Sequence, residues 1–87
     1  MIVRVTEQPS FTIDGDNYSA SVPVGVFDDN NWAGEQTILV ITGLISEANF
    51  AQAFIVKLKD ASASWKASLE LAEVVKTRLS GIIGKIL

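Results

Sequence analysis

The chain has 87 residues, no cysteine and no histidine, and a formal net charge of −3 at pH 7. Without cysteine and histidine it has no disulfide, no thiolate or imidazole ligand for zinc and no histidine general base, so most catalytic and transition-metal sites are excluded. The length indicates one domain, residues 1–87, which we divide into a sheet half (1–43) and a helical half (46–87).

The charges are divided unevenly along the chain. Residues 1–45 contain six carboxylates and one arginine, a net −5, whereas residues 46–87 contain six basic and four acidic side chains, a net +2. Binding to phosphates needs a basic face, so we expect no nucleic-acid partner. We also expect no export signal and no transmembrane segment, because no apolar run approaches the roughly 18 residues of a spanning helix. The default location is then the cytoplasm or an assembled particle.

A short strand and a hairpin are predicted at the start of the chain. Residues 1–6 alternate as a strand and end before Pro9, whose nitrogen cannot donate to a sheet. Two alternating segments then flank the polar residues 14–17, which indicates a hairpin. An even, four-residue loop sets Ile13 opposite Tyr18, whereas a three-residue loop would turn one apolar set into water. The side chains that this register puts on the core face are Phe11, Ile13, Tyr18 and Ala20.

The rest of the predicted sheet is a continued strand, a loop and a strand with two apolar faces. The alternation of the hairpin extends to Val26, with Pro23 in an unpaired or edge position. Residues 28–35 are rich in Asp and Asn, which bond to their own backbone, and they include Gly34, so a loop is indicated. Residues 37–42 include four consecutive apolar side chains, so we expect a central strand that is covered on each face.

Two helices are predicted after the sheet. Ser46 is the expected N-cap of the first, which runs through Ala53–Lys59, although alternation in that part leaves a strand open. Asp60–Ser64 forms the connection, and the second helix extends toward Ser80, with continuation through Ile82–Leu87 left open. The fold class is therefore α+β: a small, mainly antiparallel sheet of about four strands, packed by one face on two C-terminal helices.

The second helix presents three lines of side chains at helical spacing. Opposite a polar line lies an apolar stripe, which needs a sheet, another helix or another chain to cover it. A third line beside this stripe cannot reach the same core, so we assign it to a partner. The polar line contains Lys66, Glu70, Glu73, Thr77, Ser80 and Gly84, the stripe contains Trp65, Ala72, Val75, Leu79, Ile82, Ile83 and Ile86, and the third line contains Ala67, Leu71, Val74 and Arg78.

The acidic segments lack the spacing of a metal site. A calcium loop starting at Asp28 would need an oxygen ligand at Trp32 and a glycine at Ala33, so we expect no metal and no cofactor. Trp32 is either a lid folded on the core or an anchor offered to a partner, and we favour the lid. An alternative function is a small-ligand binder or enzyme with a pocket at the Asp28–Glu35 loop. The residues that such a pocket would use are Tyr18, Asp28, Asp29 and Trp32.

The surplus of apolar surface predicts a non-enzymatic structural or interaction protein. We expect a homo-oligomer or a small subunit of a larger assembly, which contacts partners through the long C-terminal helix and a sheet edge. Small subunits without a catalytic site occur in viral and phage particles, so a particle component is one form of this expectation. Membrane-surface association through Ile82–Leu87 is a further alternative, disfavoured because its single lysine attracts anionic lipid weakly. The expected partner-binding residues are Trp32, Leu71, Val74 and Arg78.

Overall fold

The computed structural model describes residues 1–82, 84 and 86, which form a four-stranded antiparallel sheet with one long helix on one face. The α+β class and the strand count are confirmed, but the expected pair of helices is wrong because a single helix takes their place. Within the described part, no helix is both long and apolar enough to cross a membrane. The elements are β1 (Ile2–Val5), β2 (Ser10–Asp14), β3 (Asn17–Asp28), β4 (Asn31–Leu44), α1 (Phe50–Leu79) and a 3-10 turn (Ser80–Ile82).

Strand β3 is the centre of the sheet. β4 pairs with it along one side, and β1 and β2 follow each other along the other side. The predicted hairpin register is confirmed, since Ile13 lies opposite Tyr18 and Phe11 lies opposite Ala20. The expectation that all four are core residues is wrong for Phe11 and Ile13, which lie on an edge strand and are exposed.

Both hairpins turn in two residues, fewer than predicted. The first turn is Gly15-Asp16, because strand pairing extends one pair beyond the expected four-residue loop. The segment 28–35 is not a loop: it contains the turn Asp29-Asn30 and the bulged start of β4. Asp29 adopts a φ of 56°. Asp tolerates this left-handed conformation better than most residues, so the chain reverses without a longer connection.

The side of β3 that faces β1 and β2 is interrupted near its middle. The gap between Val5 and Ser10 lies beside Pro23. Pro23 has no N–H to donate, and its carbonyl accepts a hydrogen bond from the Thr6 N–H at 3.0 Å. The sheet therefore puts proline where no ladder donor is required, as the sequence predicted.

Helix α1 is continuous through the segment expected to connect two helices. Asp60–Ser64 contains neither glycine nor proline, and its Ala61 and Ser62 are half-buried on the sheet side, so packing favours the helical state. The helical interpretation of Ala53–Lys59 is confirmed. The α1 side chains that pack on the core are Phe50, Phe54, Leu58, Ala61 and Trp65.

The ends of α1 differ in how well they were predicted. The helix begins at Phe50, later than predicted. Ser46 does not cap it, and the Ser46 N–H instead donates to Asp16 Oδ1 at 3.0 Å. The α-helix ends at Leu79, beside the predicted end at Ser80. The expected continuation includes Ile83, Lys85 and Leu87, which lie outside the described residues.

The core lies between β3, β4 and the first two thirds of α1. β4 is an edge strand, so the expectation of a central strand is wrong, and its face away from α1 is open in the single chain: 60% of Ile38 and 62% of Val40 are exposed. In the apolar stripe of the long helix, Trp65 packs on the core, whereas Ala72, Val75 and Leu79 are exposed, so the sheet does not cover them. The buried hydrophobic residues are Tyr18, Ala20, Val22, Val24, Val26 and Ile41.

Candidate interaction surfaces

The sheet face opposite α1 is open and partly apolar. Leu39 and Ile41 point toward the helix, so the alternate residues Ile38 and Val40 point away from it. At the far end of this face, the Arg4 guanidinium lies 5.8 Å from the centre of the Phe27 ring. Such a contact is favourable by roughly 0.5–1 kcal/mol at an exposed site. This face therefore combines apolar side chains with the Arg4 guanidinium, which lies over an aromatic ring.

Trp32 belongs to the open face and not to the helix-covered core. It pairs with Phe27 across β3 and β4, and 56% of it is exposed. Its Nε1–H donates to the Glu35 carbonyl at 3.2 Å, which fixes the indole over the bulge. The favoured lid interpretation is wrong, because the bulge and the strand register direct the side chain away from α1. A held, exposed tryptophan is suited to contact another molecule.

The C-terminal part of α1 carries the other expected partner-binding residues. Leu71 is 64% exposed, and Val74 and Arg78 are exposed as well. At about 100° per residue, Leu71 and Arg78 lie roughly 120–140° around the helix from the sheet-facing side. Val74 also borders a cleft between α1 and the sheet. These residues are on a different side of the molecule from Trp32, so the four expected residues form two surfaces.

The outer edge of β4 is a third surface, and its hydrogen-bond directions follow from the register. The Ile45 N–H donates to the Asp16 carbonyl across β3 and β4, and alternate residues of an antiparallel strand point their backbone groups the same way. Leu39 and Ile41 then bond to β3, whereas Ile38 and Val40 direct both N–H and C=O outward. Among the described residues, β4 has no strand partner on that side.

A cluster of polar side chains joins the first hairpin to the start of the helix. The Asp16 carboxylate accepts hydrogen bonds from the Ser46 N–H and from the Ser46 hydroxyl. Nearby, Lys57 Nζ donates to the Thr42 carbonyl at 3.1 Å and lies 3.7 Å from Glu47 Oε2. The Thr42 carbonyl is one of the outward-directed groups of β4. Lys57 therefore covers the edge at this end.

Tyr18 lies beneath the same end of α1 and is buried, with 3% of it exposed. Its ring contacts Phe50 edge-on at 5.0 Å, and among the described residues its hydroxyl has no hydrogen-bond partner. Position 43, opposite Tyr18, requires glycine because a Cβ there would lie 2.8 Å from both the tyrosine ring and Lys57 Nζ. A cleft of about 380 Å³ borders this cluster and is lined in part by Tyr18, Thr42 and Gly43.

The structure does not bring together the residues of the expected ligand pocket. Tyr18 and Asp28 are at opposite ends of β3, ten residues and about 33 Å apart. A cleft of about 570 Å³ lies between the second hairpin and α1, lined in part by Val26, Glu35 and Leu69. Neither Asp28 nor Trp32 lines it. Over the described residues, no three acidic, histidine or cysteine side chains are grouped to hold a metal ion.

Comparisons with protein-family models, with curated proteins and with solved structures find no match to this chain. The assignment of function therefore rests on the surfaces themselves. Sequence reasoning expected a contact through a sheet edge but did not identify the outer edge of β4. The available signal was the segment Gln36–Leu44, which contains neither charge nor proline.

Proposed function

We propose that this chain is a non-enzymatic structural or interaction protein that works as a homo-oligomer or as a small subunit of a larger assembly. The observation that carries the proposal is the accessible surface. The chain exposes 6578 Å², whereas a monomeric protein of 9.4 kDa exposes about 5,000 Å². The surplus is about 1,600 Å², or twice the roughly 800 Å² that each partner buries in a standard interface.

The shape of the chain supports the same proposal. Its radius of gyration is 17.3 Å, whereas a compact domain of 87 residues has a radius of about 12 Å. Its extents of 58, 33 and 18 Å describe a flat, elongated body. A layer of this kind has little interior, and the six buried hydrophobic residues in the described part of the chain are few for the apolar side chains there. Association with another chain would remove the remaining apolar surface from water.

The three surfaces described above are the contacts in this proposal. The C-terminal part of α1 offers Leu71, Val74 and Arg78, and the sheet offers the outer edge of β4 together with Trp32 on the open face. Arginine and tryptophan are residue types enriched in protein interfaces, and the exposed aliphatic side chains beside Arg78 add apolar area that a partner could cover. A component of a viral or phage particle is one assembly that fits this description, by association only.

Light scattering behind size exclusion tests the proposal. We expect a mass that is a multiple of the 9.4 kDa chain and that falls on dilution. A mass of one chain at all concentrations up to the millimolar range, together with cooperative unfolding, would contradict self-association. A mixture with a candidate partner would then be required to form a larger complex for the subunit form of the proposal to stand.

A further inference from the structure

We propose that two copies of this chain join by antiparallel pairing of their β4 strands, so that the two sheets continue across a two-fold axis within Gln36–Ile41. This inference rests on the proposed function and names the partner and the contact. It requires that backbone groups be free on the outer side of β4, that the strand carry nothing that blocks pairing, and that the other edge of the sheet be less suitable.

The backbone requirement is met at Gln36, Ile38 and Val40. Three hydrogen bonds show which residues of β4 direct their backbone groups toward β3 and which direct them away. The Ile45 N–H bonds inward to β3, Lys57 reaches the Thr42 carbonyl from outside, and Pro23, opposite Ile38, directs its carbonyl to Thr6 on the far side of β3. Even-numbered residues of β4 therefore direct their N–H and C=O groups away from β3.

The chemical requirement is met because this segment pairs with itself without repulsion. Gln36–Ile41 contains no charged residue and no proline, so a second copy meets neither like charges nor a missing donor. Ile38 and Val40 are exposed on the open face. Pairing would place these side chains beside those of the second copy and remove part of their surface from water. A two-fold axis makes the contact the same for both copies.

The opposite edge of the sheet is protected in ways that β4 is not. It consists of β1 and β2, which are four and five residues long and are separated by a break that contains Pro9. Short strands, proline and charged residues are the features that prevent edge pairing, and Arg4 and Asp14 add charge there. On β4, Lys57 covers the edge at Thr42 and the bulge interrupts it before Gln36. Among the described residues, the segment between these limits has no strand partner on its outer side.

Two lysines on β4 provide the test, with two lysines on the helix as the matched control. We expect the wild-type chain to have at least twice the 9.4 kDa mass, and Ile38→Lys with Val40→Lys to reduce it to one chain. Both side chains are exposed, so the variant should keep its circular dichroism. Ile55→Lys with Val56→Lys adds the same charge to α1 at exposed positions outside the proposed contacts and should leave the mass unchanged.

Amide hydrogen exchange in the wild-type chain is a second measurement that needs no variant. The amides of Leu39 and Ile41 bond to β3 and exchange slowly in either case, so they are the internal reference. We expect the amides of Ile38 and Val40 to exchange as slowly as these in the oligomer. If Ile38→Lys with Val40→Lys unfolds the chain, this measurement alone decides whether β4 pairs with a second copy.

The outcomes separate the inference from the proposed function. If the oligomer persists in Ile38→Lys with Val40→Lys, or if the Ile38 and Val40 amides exchange rapidly, pairing through β4 is wrong and oligomerisation stands. If the lysine substitutions on α1 reduce the oligomer to single chains, pairing through β4 is also wrong, and contact through α1 is favoured. A wild-type chain that is always monomeric removes both the homo-oligomer and this interface.

Discussion

At the scale of single residues, the Tyr18 hydroxyl is a buried polar group without a partner among the described residues. Such a group costs about 1–3 kcal/mol of stability. Tyr18→Phe removes it and keeps the ring contacts with Phe50 and Phe54, so we expect the free energy of unfolding to rise by about 1 kcal/mol. Urea denaturation at fixed protein concentration measures this. Tyr18→Ala is the control and should lose about 3–5 kcal/mol, as for a buried aromatic ring.

A loss of stability in Tyr18→Phe would mean that the hydroxyl accepts a hydrogen bond, for which the Lys57 ammonium is a candidate donor. Lys57 Nζ and the tyrosine oxygen both lie within 3 Å of the place that a Cβ at Gly43 would occupy, at 2.8 and 2.9 Å. Lys57→Met combined with Tyr18→Phe in a double-mutant cycle would then report a coupling between the two side chains.

Asp16 also acts at this scale, because its carboxylate holds the connection between β4 and α1 through Ser46. We expect Asp16→Ala to lower the free energy of unfolding by about 1–2 kcal/mol, since two hydrogen bonds to an ionised group are lost at an exposed site. Asp16→Asn keeps one acceptor and should lose less. Asp14→Ala, in the same hairpin, is the control and should change stability by less than about 0.5 kcal/mol. Equal effects of the Asp14 and Asp16 substitutions in thermal or urea unfolding would contradict this role.

At the scale of elements, the continuity of α1 is testable in the segment expected to break it. Ser64 is exposed in the middle of the helix. We expect Ser64→Pro to cost about 3 kcal/mol, because proline removes a helical hydrogen bond and clashes with the preceding turn. Ser64→Ala should be neutral or slightly stabilising. Circular dichroism with urea unfolding measures both. Tolerance of the proline would indicate a connection at this point and two helices.

The same elements show which parts of the fold the sequence determines. The register of β2 on β3 follows from alternation and an even turn, because a slip of one residue would move Phe11, which contacts Phe54 of α1, to the opposite face of the sheet. The break at Asp60–Ser64 was predicted from Asp and Ser, which favour caps and helix ends. Asp and Ser disfavour a helix only weakly, and the packing of Ala61 on the sheet outweighs this preference. Tertiary contacts therefore decided the outcome.

The candidate site was predicted only in part, for a related reason. Four consecutive apolar residues in β4 indicate that both faces are suited to burial, but they do not state whether the cover is the same chain or another. The sequence therefore predicts a cover for Ile38 and Val40 without identifying what supplies it. The direction of their backbone groups depends on the pairing of β4 with β3, and that pairing is a tertiary property.

At the scale of the whole molecule, the open arrangement of the subunit has a consequence for its shape in solution. α1 spans about 45 Å as one continuous helix, and β4 is of similar length, so neither element shortens when the chain is alone. We expect X-ray scattering from the single-chain species, obtained by dilution or from the variant with lysines at 38 and 40, to give a radius of gyration near 17.3 Å. A radius near the roughly 12 Å of a compact domain would contradict this, because it would require α1 to bend back over the sheet and cover its own apolar surface. In that case the surface surplus that supports assembly would not exist in solution.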